Sequence, residues 1–299
     1  MKSKLFTAVM ALLATSIFSL PASAAPPNPK VYIPFPPFRI AGNLYYVGSQ
    51  ELASFLISTP QGLILINTGF IDSTPIIEKS IEQLGFHMND VKIILVSHVH
   101  NDHAAGVEDL VKRTGAEYYV MDRDVDVAET GGKTDYFYGD NPNEQYPPAH
   151  VNYVLHDGDT VELGGTVLTA HLTPGHTKGN ITWTFNETED GRVLHVVIMG
   201  SPLMNRGMQV YNNPKYPEAA EDFEKGFAVL RSLPCDVFLG SHGWYFDIQE
   251  KYDRFIAGDK NAFIDPAGYK AYIDDAQKKF EAELKKQKAE AQTVSKPTP

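Results

Sequence analysis

The chain has 299 residues, 43% of them hydrophobic, and carries 37 acidic against 26 basic side chains for a formal net charge of −11. That content supports a full core in one large domain or two fused halves, and an acidic chain with no basic stripe is a poor partner for nucleic acid or anionic membrane. Cys235 is the single cysteine, which excludes an internal disulfide, so the core and any bound metal must hold the fold.

Lys2 and Lys4 precede an apolar stretch over residues 5–20 and then Pro21-Ala22-Ser23-Ala24-Ala25. A basic start, a short apolar run and an Ala-x-Ala step predict a signal peptide over residues 1–24, cleaved after Ala24. The apolar part is short for a membrane span, which needs about 20 residues. The mature chain is therefore expected in a periplasm, with no stable membrane association and, after loss of both lysines, a net charge of −13.

A proline-rich leader (26–37) is followed by short strands predicted at 44–47, 53–57 and 62–66. Asn67-Thr68-Gly69 ends the third, and Ser73-Thr74-Pro75 starts a helix that runs to about Leu84. Residues 91–96 read as a buried strand, 104–111 as a helix and 117–121 as another strand. Residues 131–150 read as a long loop whose adjacent aromatics Tyr136, Phe137 and Tyr138 suit a substrate-facing wall or packing onto the body, with Tyr136 and Tyr138 as the expected substrate contacts. A second β-rich half follows, with strands at 151–155, 160–163, 166–170, 181–185, 193–199 and 235–240 and helices at 217–230 and 266–288. Two successive strand-then-helix halves predict an α/β fold: an αββα sandwich of two mixed β-sheets with helices on the outer faces. One catalytic domain is expected over residues 25–290, with a disordered tail at 291–299.

The chemistry concentrates where the strand at 91–96 ends. Ser97-His98-Val99-His100-Asn101-Asp102-His103 places three imidazoles and a carboxylate at a strand-to-helix turn, where side chains can converge on one point. Neutral imidazoles with a carboxylate are the usual zinc ligand set, and a catalytic site keeps one position open for water. His176, in Thr173-Pro174-Gly175-His176-Thr177, and His242, directly after the strand ending at Gly240, also follow strand ends. Together they provide five histidines and one aspartate, enough for two three-ligand zinc sites. His87, His150, His156, His171 and His195 lie in surface-like or mid-strand settings and read as structural.

The H-x-H-x-D-H turn resembles that of the metallo-β-lactamase superfamily. Gly164-Gly165-Thr166-Val167, Pro174-Gly175-His176-Thr177, Asn213-Pro214-Lys215-Tyr216-Pro217 and Leu233-Pro234-Cys235-Asp236-Val237 are similar to the third subclass of metallo-β-lactamases, a likeness covering nearly all of the mature chain. The resemblance implies two Zn2+ ions, the first held by His98, His100 and His176, the second by Asp102, His103 and His242. It implies hydrolysis of the β-lactam amide in penicillins, cephalosporins and carbapenems, conferring antibiotic resistance, with Asp102 orienting the attacking hydroxide. A small-molecule substrate and a monomer are the expected partner and state. Ser201 stands where lactonases and glyoxalase II of this fold carry a metal-bridging Asp, so it should bind substrate or water, with Asn205 and Arg206 further candidates for gripping the substrate carboxylate. Asn67 replaces the usual Asp of the D-T-G turn, Tyr269 replaces a cysteine that pairs with the counterpart of Cys235, and Met204 stands where other subclasses have a lysine. The competing readings are a same-fold lactonase or thioester hydrolase and a non-catalytic zinc-binding protein. No G-x-S-x-G elbow supports a serine triad.

Overall fold

The computed structural model describes residues 29–294, so the expected signal peptide and the last five positions lie outside the described residues. Twelve strands form two sheets. The first holds β1 (Phe38–Ala41), β2 (Leu44–Tyr46), β3 (Phe55–Thr59), β4 (Gly62–Ile66), β5 (Val91–Leu95), β6 (Glu117–Met121) and β7 (Tyr153–Leu155) in that spatial order. Pairing is antiparallel from β1 to β4 and parallel from β4 to β7, so the sheet is mixed as expected. The second sheet runs β12-β11-β10-β9-β8, from β8 (Thr160–Leu163), β9 (Thr166–Leu172), β10 (Ile181–Glu189), β11 (Arg192–Met199) and β12 (Val237–Gly240). Only β11 and β12 are parallel there.

Side-chain alternation builds the layers. On β3 and β4, Phe55, Ile57, Ile64 and Ile66 enter the core between the sheets with Leu168, Ala170, Trp183, Val196 and Ile198. Their neighbours Leu56, Leu63 and Leu65 point the other way, onto α1 (Thr74–Gln83) and, beyond the four-residue α2 (Asn101–Ala104), α3 (Val107–Thr114). This is the period-two consequence of the pleat. α4 (Val125–Thr130) lies on the same side through Ala128. α5 (Ala219–Ser232) covers the second sheet, followed by α6 (Ile248–Ile256) and α7 (Pro266–Val294). Phe223 of α5 stacks on Phe280 of α7 at 5.1 Å, and truncating Phe280 to Ala would cost about 3–5 kcal/mol. The result is the expected αββα sandwich.

Several local expectations change. β1 was hidden by the prolines just before it. α4 and α6 were not anticipated: one is six residues long, and the other, Ile-Gln-Glu-Lys-Tyr-Asp-Arg-Phe-Ile, carries its apolar residues mainly at its ends. The predicted helix at 104–111 is two pieces, broken at Ala105 and Gly106. A Cβ on Gly106 would sit 2.6 Å from Thr74 Cγ2, so the close approach of α1 requires glycine there. α7 continues to Val294, which makes residues 291–294 helical where a disordered tail was expected. Among the described residues no helix is long and apolar enough to cross a membrane.

Candidate metal centre

The six expected ligands come from three chain segments that end at one edge of the sandwich. His98, His100, Asp102 and His103 follow β5; His176 lies in the β9–β10 connection; His242 follows β12. Ile181 N donates to Ser97 O at 2.7 Å, tying the start of β10 to the end of β5. Trp183 Nε1 donates to Val96 O at 3.0 Å across the same seam. Asn67 adopts a left-handed backbone (φ 62°), which asparagine tolerates, and its Oδ1 accepts from Ser97 N at 2.8 Å. The Asn67 difference noted in the sequence thus still supports the histidine turn.

The His176 turn is equally constrained. Gly175 has φ 134°, and a Cβ there would lie 2.7 Å from the Phe223 ring. Buried Asp124 accepts from Thr177 Oγ1 at 2.6 Å and from Gly179 N at 2.7 Å. Burial pushes its pKa up to about 6 against those two hydrogen bonds.

The ligand atoms converge. One nitrogen each of His98, His100 and His176 lie within 4.8 Å of one another, and so do ligand atoms of His98, Asp102 and His103. His242 Nε2 is 3.6 Å and His103 Nε2 is 3.2 Å from Asp102 Oδ2. A tetrahedral ion with bonds of about 2.0–2.1 Å spaces its ligand atoms about 3.3 Å apart, and these separations bracket that value. Tautomers also fit. His176 Nδ1 lies 2.7 Å from Leu203 O, which can only accept, so Nδ1 carries the proton and Nε2 keeps its lone pair. That Nε2 faces His100 Nδ1 at 3.1 Å. Among the described residues the buried Nδ1 of His103 has no hydrogen-bond partner, while Nε2 faces Asp102 Oδ2; an unpaired buried nitrogen is a costly state that a metal would relieve.

Electrostatics favour the metal-binding protonation state at His98, His176, His242 and Asp102. Burial, then the neighbouring imidazoles, hold His98 well below the usual histidine range. Burial first, then His100, lowers His176 to about 3, and burial with His103 lowers His242 to about 4. Burial would raise Asp102, but His103, His242 and His100 outweigh it and hold the carboxyl well below its usual range. His100 is raised: burial opposes its charge, yet Asp135, Asp102 and Asp124 win. Neutral imidazoles and an ionised carboxylate are the forms that bind a cation. The donor set therefore fits metal.

Above the ligands opens a cleft of about 300 Å³ walled by Tyr138, Glu144, Ser201, Asn205, Trp244 and Tyr245. A larger groove of about 510 Å³ has no histidine in its walls and shares only Trp244 with this cleft. Ser201 Oγ hydrogen-bonds Tyr245 OH at 2.9 Å, and the buried Nδ2 of Asn205 has no partner among the described residues. Two expected substrate contacts are misplaced. Arg206 is exposed and outside the cleft walls. Tyr136 is only 7% exposed, with its hydroxyl against Gly175 O (3.0 Å) and His176 O (3.1 Å), because the successive turns of this segment fold Asp135 and Tyr136 inward together. Tyr138 turns outward and packs edge-on to His100 at 5.0 Å.

Asp135, Glu144, Trp244 and Tyr245 were not singled out from sequence. Asp135 Oδ1 accepts from Phe137 N and Tyr138 N at 2.9 and 2.6 Å, while its Oδ2 stands 3.5 Å from His100 Nε2. Its place just before the aromatic run was the one available signal. Four of the five other histidines are engaged elsewhere: His150, His156 and His195 pair with Glu129, Asp122 and Asp236, and His171 bonds Thr184.

Residues 52–196 match the profile of the metallo-beta-lactamase superfamily. The fold is similar to that of the native FEZ-1 metallo-beta-lactamase from Legionella gormanii, at 51% identity and a TM-score of 0.85 over 86% of this chain and 98% of that one. It is also similar to BJP-1, a subclass B3 metallo-beta-lactamase of Bradyrhizobium japonicum, at 34% identity and 0.81 over 88% and 98%. A hydroxyacylglutathione hydrolase of Cereibacter sphaeroides is 30% identical over 62% of this chain, which spans 60% of that relative's length.

Proposed function

The chain belongs to the metallo-β-lactamase superfamily, and from that membership and the geometry of its centre we propose that it is a zinc-dependent β-lactamase. It hydrolyses the lactam amide of penicillins, cephalosporins and carbapenems and thereby confers resistance. The observation that carries this reading is the 51% identity to a metallo-beta-lactamase across 98% of that enzyme's length. We place its action in the periplasm, from the signal-peptide pattern of residues 1–24.

His98, His100 and His176 would hold one zinc ion, and Asp102, His103 and His242 a second. When bound, the two ions would supply Lewis acidity and activate a water to lose its proton near neutral pH. The protein's own part is positional. Leu203 O fixes the His176 tautomer, and Asp135 faces the far nitrogen of His100. Asp102, held ionised by its imidazole neighbours, orients the attacking water. The Asn205 amide and the Ser201–Tyr245 hydroxyl pair offer donors to the substrate carboxylate. Ser201 itself is no nucleophile, because its hydroxyl is bonded to a phenol rather than to an imidazole base.

The similarity to hydroxyacylglutathione hydrolases makes thioester hydrolysis the second reading. Against it, Ser201 occupies the position after β11 where a bridging carboxylate would be needed. Imipenem, an acyl-homoserine lactone and a glutathione thioester, each with and without EDTA, separate the readings. We expect chelator-sensitive imipenem turnover to dominate. Faster thioester or lactone turnover would transfer the assignment to the rival hydrolases.

A further inference from the structure

Among the described residues, the cleft walls hold one carboxylate besides Asp102, that of Glu144, and no lysine or arginine. Asp102 is committed to His103 and His242. Glu144 is engaged only by a neutral partner there: the Asn101 side chain hydrogen-bonds it, no ion pair to it is found among the described residues, and its other neighbours in the cleft are Asp102 and His100. The carboxylate is also rigidly presented. It ends the 3-10 turn Pro142–Glu144, with Glu144 N donating to Asn141 O at 3.0 Å. Asn141 Oδ1 caps that turn by accepting from Asn143 N at 3.2 Å, and Gln145 Nε2 clamps the following residue to Gly139 O at 3.1 Å. A fixed, half-buried anion beside a solvent-open cleft acts on substrate charge through a field that added salt weakens.

We propose that Glu144 is a specificity-determining residue that favours β-lactams with a cationic acylamino side chain and disfavours those with a second carboxylate there. The inference rests on the lactamase reading above. In a bicyclic β-lactam the ring carboxylate and the acylamino substituent leave from opposite ends of the nucleus. The donors suited to the ring carboxylate, Ser201 and Asn205, follow β11, whereas Glu144 comes from the separate 131–150 segment. A substrate anchored by its carboxylate on the first segment extends its side chain toward the second.

Three penicillins that differ at one side-chain carbon provide the test: ampicillin (ammonium), benzylpenicillin (uncharged) and carbenicillin (carboxylate). kcat/KM is measured on zinc-loaded wild type, Glu144→Gln and Glu144→Lys at equal metal content and at two ionic strengths. The ampicillin-to-carbenicillin ratio should fall about tenfold in Glu144→Gln and further in Glu144→Lys, and the wild-type ratio should shrink with added salt. Equilibrium binding of the three ring-opened products, which are not turned over, should show the same order by quenching of tryptophan fluorescence. A ratio that stays within twofold across the three proteins overturns the inference alone, including the case in which all three rates fall together because Glu144 merely supports the turn. Absence of turnover of every penicillin by wild type overturns the lactamase reading and this inference with it.

Discussion

His100 Nδ1 and His176 Nε2 lie 3.1 Å apart although 76 positions separate them in the chain. Two imidazole nitrogens at that distance, one with its lone pair fixed by Leu203 O, are two corners of a coordination polyhedron already assembled. The cost of bringing them together has been met by β-sheet pairing and the Gly175 turn, so a metal finds a preformed site.

The first prediction concerns stoichiometry. The protein should carry two zinc ions per chain, with His176→Ala and His242→Ala each losing about one. His98→Ala should disturb both sites, because its imidazole belongs to both ligand groups. Elemental analysis checks this, and full zinc in either single-site variant would remove that residue from the ligand set.

Asp135 yields a second prediction. Asp135→Asn keeps an oxygen to cap Phe137 N and Tyr138 N but removes the charge facing His100 Nε2. Partners of this kind typically contribute 10–100-fold in metal affinity. Chelator competition should therefore show about that loss at one site, with the other unchanged and Tm of the metal-free protein little altered. Equal affinity at both sites would restrict Asp135 to its turn.

Neighbouring tyrosines should behave differently. Tyr138→Ala should chiefly raise KM with kcat nearly unchanged, the signature of lost uniform binding. Tyr136→Phe should leave KM alone and lower stability by about 1–2 kcal/mol, since the buried carbonyls of Gly175 and His176 lose a donor. Denaturant titration and steady-state kinetics of the two variants separate the roles.

The contrast between those tyrosines marks how far the sequence could be read. The His98–His103 cluster was legible because all its ligands share one strand-to-helix turn, and His176 and His242 because Pro, Gly and strand ends flag exposed turns. The layered αββα plan followed from the order of apolar runs. Which side chains of residues 131–150 face the cleft depends on how that segment settles onto the β9–β10 turn, and no local periodicity encodes that. Tyr136 was therefore assigned to substrate when it braces His176. Glu144 and Tyr245 drew no attention because an isolated glutamate or tyrosine carries no spacing signal. α6 went unread for a related reason, its amphipathic pattern being short and mostly polar.

The last prediction is a pH dependence set far from the metal. Glu187 of β10 points inward at 7% exposure; Oε2 accepts from Asn43 N at 3.4 Å, while Oε1 has no hydrogen-bond partner among the described residues. Burial, with Glu189 adding to it, pushes its pKa up to about 7 despite backbone donors from Asn43 and Thr188. In the unfolded chain the same group titrates near 4.5. The folded state therefore holds the proton more tightly. Below about pH 4.5 both states are protonated and the contribution to stability is complete. As pH rises toward 7 the unfolded chain ionises first, stability falls, and above 7 the loss is full. Asp124, raised to about 6, acts in the same direction. Glu187→Gln removes the ionisation at this position and keeps an oxygen to accept from Asn43 N. Its Tm relative to wild type should be nearly level at pH 4.5 and higher by several degrees at pH 8, corresponding to about 1–3 kcal/mol. Metal loss at low pH affects both proteins alike, so the difference isolates the carboxylate. A Tm difference that stays constant from pH 4.5 to 8 would mean that Glu187 is ionised throughout and that its side chain finds solvent.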